Sequence, residues 1–153
     1  MAGDPMKLAF PETADAQKAV IGAPLETSAR SHLEDMFDQM LVADDPQAQV
    51  QFAEGALSLL YQEKNPHLWA CLRAIQSAAL MRANSDKLTE PLLRRIVEGY
   101  VAALAVFDPV ATPELWRETQ RNLAASHYAA IANNIGNRRT HVEAAMKAEL
   151  LGS

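Results

Sequence analysis

Cysteine is nearly missing from this chain. Cys71 stands alone, so no disulfide can form within it. That usage suits a reducing compartment, and the expected location is the cytoplasm. Aromatic side chains are scarce, at 6%, while alanine and leucine are plentiful. Strands draw on β-branched and aromatic residues, so the composition favours helices. An excess of basic charge is lacking too: the formal net charge is −5, which disfavours a nucleic-acid partner. Long apolar runs are absent. The longest, Val101 to Phe107, falls far short of the roughly 20 residues a membrane helix needs. No cationic stretch followed by an apolar segment opens the chain, so no secretory signal is expected.

Familiar catalytic signatures are missing as well. There is no G-x-G-x-x-G, phosphate-binding loop, G-x-S-x-G or H-E-x-x-H. The histidines are His32, His67, His127 and His141, and no two lie four apart. His67 and Cys71, at i and i+4, share a helix face, but zinc wants three or four ligands and no second cysteine exists. The expectation is therefore no catalytic residue, no metal and no cofactor. His127 reads as a satisfied core or groove residue rather than a general base. Glu34, Asp35, Asp38, Asp44 and Asp45 read as a solvated acidic face. Met36, Met40, Met81 and Met146 read as fillers of core gaps.

What the chain does have is well-placed proline. Asp45-Pro46, Asn65-Pro66 and Thr112-Pro113 each read as a cap followed by proline at the first helical position, where a missing N–H costs nothing. Thr89-Glu90-Pro91 is similar, and Thr140 with Glu143 reads as a capping box. Apolar residues between these starts follow helical spacing. One stripe is Leu33, Met36, Phe37, Met40 and Leu41. Others are Val50, Ala53, Leu57 and Leu60; Leu93, Ile96, Val97, Tyr100 and Leu104; and Trp116, Leu123 and Ile131. Helices are expected over 28–42, 46–63, 66–83, 90–107, 113–133 and 140–150, with a shorter one over 12–21. The short connections make successive helices antiparallel neighbours.

Two of these starts are alike. N65-P-H-L-W69 returns as T112-P-E-L-W116, with the tryptophans 47 positions apart. The helix before each carries Glu-Gly in its middle, at Glu54-Gly55 and Glu98-Gly99. A mid-helix glycine costs roughly 1 kcal/mol against alanine, so the recurrence points to close approach of a neighbouring helix. A period near 47 with two helices per unit suggests a helical repeat in which each pair buries its stripe against the next. Trp69 and Trp116 then act as packing anchors. An irregular helical bundle is the alternative architecture.

The segment from Thr112 onward, T-P-E-L-W-R-E-T-Q-R-N-L-A-A-S-H-Y followed by N-N-I-G-N-R-R and a helix, resembles a tetratricopeptide repeat of the long-period bacterial kind. The matching positions are Pro113, Trp116, Thr119, Gln120, Asn122, Leu123, Gly136, Asn137, Arg138 and Ala144. Ala124 stands where that family has the glycine of N-L-G. The copy at 65–108 keeps Pro66, Trp69 and Ala70 and lacks N-L-G; 24–64 is a third, degenerate unit. The resemblance implies an all-α fold of antiparallel helix pairs stacked as a short α-solenoid. It makes 1–153 one helical domain, with an N-terminal segment 1–23 and helix pairs 24–64, 65–108 and 112–151.

In that family the first helix of each unit lines a concave surface, and the Asn of N-L-G often contacts a bound peptide. The resemblance thus implies a peptide contact at Asn122. Helical spacing puts Glu118, Arg121, Ala125 and Tyr128 near the same face. The matching positions in the preceding unit are Cys71, Ala74, Ile75, Ala78 and Met81. The expected function is a protein–protein interaction module, binding a peptide or helical segment in a groove without nucleic acid or membrane. Residues 1–27 are a second candidate to cover that groove. A helical small-molecule or lipid-binding domain, with its pocket around Ile75 and Met81, is the alternative function. An enzyme with a site unlike the known signatures is a third. Val142, Met146 and Leu150 form an apolar face on the last helix, which predicts a homodimer.

Overall fold

Proline sets where the helices begin. In a computed structural model, which describes Asp35, Asp38, Gln39 and residues 44–153, five helices follow one another: α1 (Pro46–Ser58), α2 (Pro66–Ala83), α3 (Glu90–Leu104), α4 (Pro113–Ala132) and α5 (Arg138–Leu151). No strand occurs among the described residues. Proline is the first residue of α1, α2 and α4 and the second of α3. The helices expected over 12–21 and 28–42 lie outside the described residues, apart from Asp35, Asp38 and Gln39. These three are helical and exposed.

The caps divide into two kinds. The Asp45 carboxylate accepts the Gln47 N–H at 3.1 Å, and the Thr89 hydroxyl accepts that of Leu92. Asn65 and Thr112 stand at the expected cap positions without a side-chain cap bond. Thr112 instead faces back into its loop, its Oγ1 accepting the Asp108 N–H at 2.9 Å. The Asp108 carboxylate accepts from the Val110 and Ala111 N–H groups, which holds its carboxyl below the usual range. The connection between α3 and α4 is thus a self-bonded turn.

Three boundaries differ from expectation by two residues or more. Helix α1 stops at Ser58 rather than 63. A residue before proline is pushed out of the helical region, and Asn65 sits at φ −136°. The chain makes the change early. Leu59 and Leu60 close tight turns onto Ala56 and Leu57, and Lys64 turns onto Tyr61. Helix α3 ends at Leu104 rather than 107, after which Phe107 folds back to an edge-on contact with the His67 ring, 5.8 Å between centroids. Helix α5 begins at Arg138, and its cap is Asn137, whose Oδ1 accepts the Thr140 N–H at 3.1 Å. The capping box expected at Thr140 does not form. Glu143 pairs with Arg139 at 3.0 Å instead.

Each helix packs against the next, and α2 also touches α4. Two of the expected stripes supply the main core: Val50, Leu93, Ile96 and Tyr100 are buried together with Ala70, Cys71, Ala74 and Met81 of α2, while Trp116, Leu123 and Ile131 are half-buried and the stripe from Leu33 to Leu41 lies outside the described residues. A second cluster, Ala53, Ala56, Leu60, Leu68 and Leu72, joins α1 to α2. Half-buried Ile75 packs against both clusters. Trp69 and Trp116 are partly buried and pack on the main core. Of the described methionines, Met81 fills the core and Met146 does not, being 61% exposed. Gly99 marks the close approach its position suggested. A Cβ there would overlap the Ser77 hydroxyl and stand 3.3 Å from the Arg73 carbonyl. That hydroxyl donates to the Ile96 carbonyl at 2.9 Å, tying α2 to α3 beside the glycine.

Candidate functional site

Helix α2 turns four of its five candidate residues into the core. Cys71 and Ala74 are fully buried, Ala78 and Met81 nearly so, and Ile75 is half-buried. Packing explains this: α1 and α3 both lie against α2, so an alanine-rich helix is enclosed on most sides. Burial pushes the Cys71 thiol up to about 12, far from the thiolate that nucleophilic or metal chemistry requires. Burial also lowers His67. Among the described residues, no group of three or more His, Cys, Asp or Glu side chains is placed to hold a metal ion. The groove residues read from α2 are therefore covered surfaces. The segment 1–27, read as a possible cover, lies outside the described residues.

Helix α4 divides its candidates between two faces. Arg121 and Tyr128, seven apart, both reach α5. The Arg121 guanidinium donates to the Gly152 carbonyl at 3.0 Å, and the Tyr128 hydroxyl donates to Glu149 at 2.7 Å. The bond to Glu149 raises the Tyr128 phenol, with desolvation and the carboxylate's charge acting the same way. Both side chains remain exposed. Glu118 and Ala125 are half-buried.

Asn122 lies on the other face, which is buried and polar. Thr119, Gln120, Asn122 and Ser126 all sit inside. Thr119 and Ser126 satisfy themselves on their own helix, donating to the carbonyls of Leu115 and Asn122 at 2.6 and 2.9 Å. Asn122 has no such outlet: it is fully buried, and neither Oδ1 nor Nδ2 meets a partner. Buried polar groups are nearly always paired, and leaving one unpaired costs about 1–3 kcal/mol. An amide held so is poised to give and to accept one hydrogen bond from something that enters.

One feature escaped the sequence. His127 on α4 and His141 on α5 meet through their Nδ1 atoms at 2.9 Å. They border a cleft of about 210 Å³ lined also by Glu90, Leu93, Arg94, Val97, Ile135 and Gly136. The connection 133–137 builds it. Asn134 and Gly136 both take left-handed backbone, at φ 55° and 65°, and Ile135 N–H bonds back to the Ala130 carbonyl at 2.9 Å. A Cβ on Gly136 would stand 2.9 Å from His141 Nε2, so the glycine also makes room for the ring. Fourteen positions separate the two histidines, and no helical period relates them.

No helix of the described residues is long and apolar enough to cross a membrane. Compared with known proteins, the chain matches no family model, no curated protein and no solved structure.

Proposed function

We propose that the chain is a protein–protein interaction module, built of stacked helix pairs, that takes a peptide or helical segment of a partner against α4. The observation that carries this reading is the Asn122 amide, fully buried and unpaired by the chain. The side chain has no exposure, so a peptide reaches it only where a neighbouring side chain moves aside, and its main chain then offers the donor and the acceptor the amide lacks. The contact of α2 with α4, each the first helix of its pair, supports stacking of the units. Glu118, Arg121, Ala125 and Tyr128 lie on the same helix, with Arg121 and Tyr128 on the face that meets α5 and its end. The α2 positions contribute Ile75 and otherwise support the groove from beneath.

The cleft beside His127 is small for a drug-sized ligand. At about 210 Å³ it lies below the roughly 300–1,000 Å³ of usual small-molecule pockets. A second copy is a further partner in this reading. Met146, Leu150 and Leu151 on α5 are 61%, 75% and 44% exposed.

Selection from a random peptide library displayed on phage tests the peptide reading. Binders selected on the full chain should lose at least about tenfold in affinity on Asn122→Leu. The same substitution removes an unpaired amide at nearly constant volume, so it should leave stability unchanged or raise it by about 1 kcal/mol. Selected peptides that bind the variant equally well would refute the site. Saturable fatty-acid or detergent binding with no peptide selected would favour the lipid reading.

A further inference from the structure

The histidine pair links the two helices of the last pair at the end where their connection lies. Its geometry distinguishes a shared proton from a shared metal. The ring centroids are 5.2 Å apart and the Nδ1 atoms 2.9 Å. The difference is the depth of the two half-rings, so the nitrogens face each other along the line of centres. A zinc ion needs about 2.0–2.1 Å to each ring nitrogen, and two nitrogens facing head-on at this distance leave less than that. The same distance is a normal N–H···N hydrogen bond. Such a bond needs a proton on one Nδ1 and a lone pair on the other.

We propose that His127 and His141 form a proton-operated latch, which holds α5 on α4 while at least one of the facing nitrogens is bare and releases it when both are protonated. Each imidazole has two nitrogens, so the pair contains four proton sites. With two protons both rings are neutral and the bond holds. A third proton makes one ring an imidazolium, and a charged donor still faces a bare nitrogen. The fourth puts two N–H groups and two positive charges in opposition, and the contact must break.

The surroundings bias the balance. Glu90 and Arg94 of α3 line the cleft, paired with each other at 3.7 Å, so their charges largely offset one another at the rings. Among the described residues no other charged side chain lines it. His141 stands in the first turn of α5. His127 is held below the ordinary histidine range by burial and then by His141. A depressed histidine contributes stability that is complete above about pH 6.5 and is lost as pH falls toward its folded value. The latch is therefore closed at neutral pH and opens on acidification. Opening frees the seam where Ala145 and Ala148 of α5 are buried.

Long-range ¹⁵N–¹H correlation spectra of the intact full chain test the pair directly. At about pH 7.5 one ring should show a protonated Nδ1 and the other a bare one. The two rings should then titrate in coupled steps. Two rings in the same Nδ1 state, titrating independently, would overturn the proposal. Hydrogen exchange tests the latch. After correction for intrinsic rates, α5 protection relative to α2 should fall about tenfold between about pH 7.5 and 5. His141→Phe should reduce that pH dependence, leaving the parts owed to burial of His127 and to His67. A fall of the same size in His141→Phe, or none in the parent chain, would sink the latch.

Discussion

Gly99 shows how one missing atom decides a helix contact. Alanine is worth roughly 1 kcal/mol more than glycine within a helix, yet its Cβ would overlap the Ser77 hydroxyl. Overpacking of this kind costs about 1–3 kcal/mol, so Gly99→Ala should destabilise the chain despite its better propensity. Ser77→Ala removes the overlapping hydroxyl together with its bond to the Ile96 carbonyl. The double variant should consequently be more stable than the sum of the single changes allows, by at least about 0.5 kcal/mol. Urea unfolding of the four proteins measures this, and strict additivity would mean that α2 and α3 do not meet there. The glycine was legible in the sequence as a recurring mid-helix oddity. Its cause was not, because Ser77 is 22 positions away on another helix.

At the scale of the helix, the start of α5 replaces the capping box read at Thr140 with a cap at Asn137. Both Asn137 and Thr140 are good caps, and Thr140 has the glutamate three residues on that a capping box uses. Asn137 takes the role because Gly136, in left-handed backbone, turns the chain so that the helix begins at Arg138. Thr140 then lies inside the first turn and Glu143 reaches back to Arg139. Asn137→Ala should cost about 1 kcal/mol, while Thr140→Ala should change stability by no more than about 0.5 kcal/mol. Thermal unfolding decides between them, and the reverse order would restore the capping box. The other helix starts were readable because proline acts on its own backbone and needs no tertiary partner.

For the whole molecule, the outer face of α5 is the feature to explain. Met146 and Leu150, one turn apart, are largely exposed, and Val142 one turn earlier is half-buried. The spacing that placed these residues on one face was visible in the sequence, and their exposure follows from α4 taking the opposite side, where Ala145 and Ala148 are buried. An apolar face of this kind favours a symmetric pair of chains. Sedimentation equilibrium at micromolar concentration should show a dimer, and Leu150→Glu should return it to a monomer. A parent chain that stays monomeric as concentration rises would show that the face has no partner in a second copy.

Sequence by itself determined what acts locally. Proline and its preceding residue set where α1, α2, α3 and α4 begin, and in α1 and α3 the apolar spacing set which side turns inward. A lone cysteine excluded an internal disulfide. Tertiary structure decided what depends on side chains distant in the chain. It enclosed Cys71, Ala74, Ala78 and Met81 between α1 and α3, where the tetratricopeptide resemblance implied a groove. It turned Arg121 and Tyr128 onto α5, left the Asn122 amide buried and unpaired, and brought His127 to His141. Helical periodicity specifies the face a residue occupies; the neighbour that meets that face is chosen by packing, and packing is not periodic in the chain.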